Sequence, residues 1–260
     1  MSAAAAASAV RRSILVVAGI GDGSGTGAST ARLFAKNGYR VAVISRSPEA
    51  TSKTAEGINS DGGEAAAFPI KSYTHEEIHS AFNAIKGHWK DSDIRVGVFN
   101  AGSGVWKGFL DITEEDLKKS LDTNIVAAFG FARESILAFK DLPLLDGQKK
   151  GTLIFTGATA SVRGNKVTSA FAAGKHGVRA LSQSLAKEFG PQDIHVAHAI
   201  IDGGILTNLT KSFNKDPEWE ENVAKRLDPN SIAKSYLYLA GQDRSAWTWE
   251  LDLRPAHEKW

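Results

Sequence analysis

The sequence predicts a single α/β domain built on a doubly wound parallel sheet of about seven strands flanked by helices, a Rossmann fold. Three observations carry this. Short β-rich apolar runs alternate along the whole 260-residue chain with longer stretches of helical periodicity. Most of the runs are continuously apolar rather than alternating, as strands covered on both faces must be. A glycine-rich turn follows the first run directly and opens a helix.

The predicted strands are, in order, "SILVVAG" (13–19), "YRVAVIS" (39–45), "EAAAFPI" (64–70), "IRVGVFN" (94–100), "GTLIFTG" (151–157), "IHVAHAII" (194–201) and "AWTWELDL" (246–253). Helical patterns fill the gaps, among them 27–38, 113–139 and 169–189. At the start of 113–139, Thr113 is a capping residue, and Glu114, Glu115 and Asp116 suit the positive end of the helix dipole. Neither a linker nor an internal repeat interrupts residues 13–260, which read as one domain after a tail at 1–12. That tail, "MSAAAAASAVRR", has the alanine-rich, basic character of a transit peptide, but the first strand begins almost at once. A cytoplasmic protein is expected, with mitochondrial targeting as the alternative.

Composition narrows the chemistry. A net charge of +2 with scattered basic residues gives no sign of a nucleic-acid or anionic-membrane partner. The absence of cysteine excludes disulfides, thiol catalysis and cysteine-based metal sites. His195 and His198 lie an odd step apart on a strand and so point to opposite faces, which argues against a metal site.

In "GIGDGSGTGAST", Gly21, Gly25 and Gly27 hold the spacing G-x-x-x-G-x-G, with Thr26 at the helix start. Glycines there let the backbone approach a pyrophosphate, and the helix N-terminus offers N–H groups and positive potential. The second strand ends "VISRS". An acid at that end pairs with a free ribose 2′-hydroxyl, whereas arginine accommodates a 2′-phosphate. Ser45 stands in the acid's place and Arg46 follows, so NADP(H) is favoured over NAD(H), with Ser24, Ser45 and Ser47 as further phosphate contacts. An exposed surface arginine is the plainer reading of Arg46.

Together these motifs make residues 13 to 255 resemble a short-chain dehydrogenase/reductase. "IGDGSGTG" resembles the family's T-G-x-x-x-G-x-G, and "FNAG" resembles N-N-A-G, which implies that Asn100, Ala101 and Gly102 line the cofactor. The resemblance makes Asn124 and Lys175 members of the catalytic tetrad, Lys175 also holding the nicotinamide ribose. "IIDGGILT" resembles P-G-x-x-x-T, which implies that Gly203 borders the cofactor and Thr207 reaches the carboxamide. A homo-oligomer (dimer or tetramer) pairing through helices 113–139 and 169–189 is implied in the same way.

The departures from the family pattern decide the chemistry. Phe171 stands where the active tyrosine belongs, four residues before Lys175, and Ala158 stands where the serine belongs. The chain therefore resembles an atypical branch that lacks both. In the usual scheme the tyrosine gives a proton to the carbonyl oxygen as hydride arrives, helped by the neighbouring lysine, while the serine holds the oxygen. Phenylalanine and alanine do neither. Asp202 replaces the proline of the P-G segment, and Lys71 replaces an adenine-contacting aspartate.

Asp202 is one candidate replacement acid, as a carboxyl group at the mouth of a nucleotide cleft, though an aspartate before Gly203 and Gly204 also reads as a turn residue. Ser161 and Thr159 can turn a hydroxyl into the site, or serve as ordinary loop hydroxyls. Trp106, Phe109, Phe171 and Phe213 suggest an apolar pocket, with Ala158 and Thr159 on its wall and a substrate lid at about 206–228. Three functions remain open: an NADPH-dependent reductase of a small apolar carbonyl or conjugated enoyl compound, a non-catalytic NADP-binding scaffold or sensor, and non-redox chemistry on the same fold.

Overall fold

The computed structural model describes residues 11–146 and 148–259. Residues 1–10 of the expected tail lie outside the described residues. Arg11 and Arg12 bridge to Asp93 at 3.2 Å and Glu64 at 2.5 Å.

Strands β1 (Ser13–Ala18), β2 (Arg40–Ser45), β3 (Glu64–Pro69), β4 (Asp93–Phe99), β5 (Gly151–Thr156), β6 (Ile194–Ile201) and β7 (Glu250–Leu253) form one sheet. Its order is β3-β2-β1-β4-β5-β6-β7, with every pair parallel. The continuous apolar runs are explained by burial on both sides: every residue of β5 and β6 is buried. β7 is shorter than expected, because pairing with β6 begins only where His198 N donates to Trp249 O at 2.8 Å.

Helices α1 (Thr26–Lys36), α2 (Pro48–Ser60) and α9 (Pro229–Gly241) cover one face of the sheet around Phe34, Ile58 and Tyr236. The other face carries α3 (His75–His88), α5 (Ala127–Phe139) and α6 (Ser169–Phe189), packed through Phe82, Phe99, Phe131 and Phe155. Phe131 lies 5.4 Å from Phe82 and 5.5 Å from Phe99 between ring centroids, so aromatic contacts tie two helices to β4. β6 puts Val196 on this face and Ala197 on the opposite one, so His195 and His198 do point apart. His195 stacks on Trp247 at 5.0 Å, and His198 bonds Glu250 at 3.0 Å. No described helix is long and apolar enough to cross a membrane.

The predicted helix over 113–139 is interrupted. α4 (Glu114–Leu121) begins at the expected cap, where Thr113 and Asp116 satisfy each other's backbone N–H at 3.1 Å. Between α4 and α5, Asp122–Val126 forms a widened π-type turn. One extra residue is accommodated there, and Asn124 sits in the middle of it. Two short helices, α7 (Asn208–Phe213) and α8 (Pro217–Glu221), follow β6.

The chain leaves β1 for β2 and β3 on one side, then returns to β4 on the other. That reversal opens a crevice at the C-terminal ends of β1 and β4, where open α/β sheets take their ligands.

Candidate active site

A cleft of about 1690 Å³ occupies this crevice, bordered by the ends of β1, β2, β4, β5 and β6. Its floor is built by close backbone approach. Gly19 has φ +93°, and a Cβ there would lie 2.4 Å from Ala101 N. A Cβ on Gly27 would lie 2.1 Å from Gly19 O, so only glycine lets α1 start this close to β1. Asn100 fastens the strand ends, donating from Nδ2 to Gly19 O at 2.6 Å and accepting from Thr156 Oγ1 at 3.0 Å. Thr156 in turn meets the buried Tyr236 hydroxyl at 2.8 Å.

The first turn of α1 has no side-chain cap and no acidic residue, and Gly21, Gly25 and Thr26 border the cleft beside it. These free N–H groups and the helix dipole suit a pyrophosphate. Ser24 is turned away from the cleft: its hydroxyl donates to Asp22 Oδ1 at 2.6 Å and accepts from Asn208 N at 3.0 Å. It thereby joins the glycine-rich loop to α7. The Ser24 hydroxyl is also the main reason that the Asp22 carboxyl sits below the usual carboxylate range.

At the far end, Arg46 is exposed on the cleft rim, with its guanidinium 5.5 Å above the Tyr73 ring. It makes no hydrogen bond or ion pair among the described residues, which leaves its donors for a ligand. Burial raises the Tyr73 hydroxyl to about 12. The neighbouring Ser45 and Ser47 border the cleft as well, and their hydroxyls are bonded within the loop. Ser45 Oγ meets Thr51 Oγ1 at 3.0 Å and accepts from Ser47 N at 3.2 Å, while Ser47 caps α2 through Ala50 N.

At the other end, Lys175 is buried and its Nζ donates to Thr156 O at 2.9 Å. Burial lowers its ammonium to about 8. Phe171 lies one helical turn earlier, its ring centroid 5.9 Å from Lys175 Nζ and 5.3 Å from the Trp106 ring. Asn124 is fully buried behind the cleft wall. Its Nδ2 donates to Ser103 O at 2.8 Å and Ser120 O at 2.9 Å, and its Oδ1 accepts from Ser103 N at 3.3 Å. These bonds cross from the widened turn to the loop after β4. Gly102, Ala101, Gly203 and Thr207 border the cleft as expected.

Two expected site side chains stand elsewhere. Ser161 is fully buried, and its hydroxyl accepts from Ala158 N at 3.0 Å, stabilising the turn beneath the wall. Asp202 is 1% exposed and both of its oxygens face donors. Thr159 Oγ1 bonds it at 2.5 Å, Arg163 Nη2 at 3.2 and 3.3 Å, and Arg254 Nη2 lies 3.4 Å away. This is the geometry of an acceptor holding cations in place, not of an acid presented to a substrate. The turn after β5 and the C-terminal segment together close over Asp202.

Three contributors were not singled out from the sequence: Arg163 and Tyr73, which both border the cleft, and Asp22 on the glycine-rich loop. Arg163 follows "TGATASV" by sequence alone, and only its ion pair with Asp202 marks it.

Comparison with known proteins agrees with this architecture. The family model described as short chain dehydrogenase matches residues 14–218. A solved short-chain dehydrogenase from Rhodopseudomonas palustris is 32% identical, with a TM-score of 0.75 over 94% of this chain and 99% of that one. The 3-oxoacyl-[acyl-carrier-protein] reductase of Rattus norvegicus is 27% identical over 80% of this chain and 82% of its own. Carbonyl reductase family member 4 of Xenopus laevis is 29% identical over 86% of this chain and 90% of its own. Actinorhodin polyketide ketoreductase, solved with NADPH, shares the fold with a TM-score of 0.82 at 21% identity, over 96% of this chain and 98% of that one.

Proposed function

Since the chain belongs to the short chain dehydrogenase family, we propose that it binds NADP(H) and reduces a small apolar carbonyl or conjugated enoyl compound without a tyrosine acid. The observation that carries this reading is the pairing of an open, uncapped phosphate end with a reacting end where Lys175 presents its ammonium on the cleft wall beside Ala158 and Phe171. Gly21, Gly25, Thr26 and Gly27 form the pyrophosphate cradle. Arg46, poised on Tyr73, takes the 2′-phosphate. Asn100, Ala101 and Gly102 line the nicotinamide half, and Gly203 and Thr207 close it from the other side under a lid at 206–228.

When bound, the cofactor supplies the hydride. The chain's own work is to orient the acceptor and to manage one proton. Trp106 and Phe171 form an apolar wall beside Lys175 that excludes water from an acceptor. Lys175 Nζ spends one N–H on Thr156 O and retains two for a ribose hydroxyl and the developing oxygen or a water held against it. A lysine lowered to about 8 is charged at neutral pH yet gives up its proton readily. Asn124 braces the loop at Ser103 that faces Lys175 across Gly102. A conjugated C=C acceptor is favoured by the missing tyrosine, because its carbon can take a proton from Lys175 or from water.

The same emptied positions favour a second reading, an NADP-binding protein that performs no turnover. Consumption of NADPH at 340 nm across carbonyl and enoyl compounds separates the two. Turnover that falls as pH rises through about 8, where Lys175 deprotonates, supports the reductase; NADPH binding without turnover on any acceptor supports the scaffold. Val126 and Phe129 are more than half exposed on the π-type turn and α5, an unpartnered apolar stripe that supports homo-oligomer formation through this helix. A cytoplasmic location completes the reading.

A further inference from the structure

Asp202, displaced from the role of acid, has a second meaning. A carboxylate at 1% exposure is costly unless its charge is matched. Here it is matched by Arg163 and Arg254 and by the Thr159 hydroxyl, all of which converge on it. Arg254 is shared with Asp252, so Asp202 is the only carboxylate that engages Arg163 among the described residues.

Arg163 faces the cleft, with about a third of its side chain exposed. It is gripped through Nη2 alone. Nε and Nη1 make no hydrogen bond among the described residues. A guanidinium held from behind by a buried carboxylate has lost its rotamer freedom in advance, and its remaining N–H groups are preorganised donors for an anion. The side chain of Asn165, two residues on, borders the same wall and makes no hydrogen bond among the described residues. The position of the wall identifies what it meets. Arg163 lies just past Ala158 and Thr159 on the turn after β5, away from the glycine-rich loop and from Arg46. Glu258 and Lys259, of opposite charge, also border the cleft, with Glu258 beside Gly203.

We propose that Arg163, positioned by Asp202, binds a carboxylate of the substrate, so that this cleft takes an oxo or enoyl acid with an apolar body. This deepens the NADP(H)-dependent reading and rests on it. The apolar body lies against Trp106 and Phe171, and the carboxylate lies on Arg163 with Asn165 beside it. The recognised substrate is thus amphiphilic, charged at one end and apolar at the other.

The test uses the full chain saturated with NADP⁺ and two acid–ester pairs: 4-phenyl-2-oxobutanoate and 2-oxohexanoate, each against its ethyl ester, titrated by calorimetry. The expected result is that at least one acid binds about tenfold or more tighter than its ester, as a charge-assisted hydrogen-bonded pair requires. Arg163→Met removes that preference, Arg163→Lys keeps part of it, and both variants keep NADPH affinity within about twofold of the parent. Esters binding as tightly as acids, neither class binding, or a preference that survives Arg163→Met would overturn the proposal. An NADPH titration on the same samples separates the two levels. Loss of NADPH binding in the parent chain sinks the cofactor reading, whereas intact NADPH binding without an acid preference sinks only the anion anchor.

Discussion

The two ends of the cleft are built on different principles. At the phosphate end, the shape is made by backbone: Gly19 and Gly27 allow approaches that no side chain permits, and Asn100 ties β1, β4 and β5 together beneath. At the reacting end, the shape is made by side chains. Phe171 and Ala158 offer no proton, while Asp202 and Arg163 add a buried charge pair beside them. The contrast teaches that a fold can keep its means of holding a cofactor while the acceptor side is free to change. Backbone geometry tolerates few substitutions.

This difference can be broken most severely at Gly19. Gly19→Val places a side chain at φ +93° against Ala101 N, and we expect it to abolish saturable NADPH binding and lower stability by about 3 kcal/mol or more. Urea unfolding and fluorescence titration report both; near-parental values for either contradict the account of the floor. The reacting end should respond in the opposite direction. Ala158→Ser with Phe171→Tyr restores an oxyanion donor and an acid beside Lys175, and NADPH consumption with simple ketones should rise by about 10²–10⁴. An unchanged rate would mean that more than the donors has been lost.

Arg46→Ala sharpens the comparison at the adenosine end. Loss of a charge-assisted fork should weaken NADPH binding by about tenfold to a hundredfold and leave NADH binding nearly unaltered; equal weakening of both would assign Arg46 a structural role. The smallest effect on the cleft is expected from Phe129→Glu, on the exposed stripe of α5. Light scattering should show a smaller assembly, with NADPH affinity within about twofold of the parent. An assembly of unchanged mass would place the interface elsewhere.

How much of this was legible in the sequence follows the same division. The inner strands could be read because burial on both faces forces continuous apolar runs, and β1 to β6 begin and end within a residue or so of the expected runs. Thr113 and Asp116 announced the start of α4 because a capping box is local chemistry. The π-type turn at 122–126 was not legible. It depends on Asn124 reaching Ser103, which is distant in sequence. Asp202 and Ser161 were misplaced for a related reason. Proximity in sequence to Ala158 or Gly203 says nothing about which way a turn directs a side chain, and Asp202 faces inward because Arg163 and Arg254 meet it there. Tyr73 and Arg163 carried no motif, and only the paths of their loops bring them to the cleft.

The central claim is that this cleft holds NADP(H) with Phe171 and Ala158 at its reacting end, and a fluorescence titration with NADPH and NADH tests it most directly. The account predicts saturable binding of NADPH, at least about tenfold tighter than NADH because Arg46 meets the 2′-phosphate. Absence of binding by both nucleotides, or NADH bound as tightly as NADPH, would contradict it.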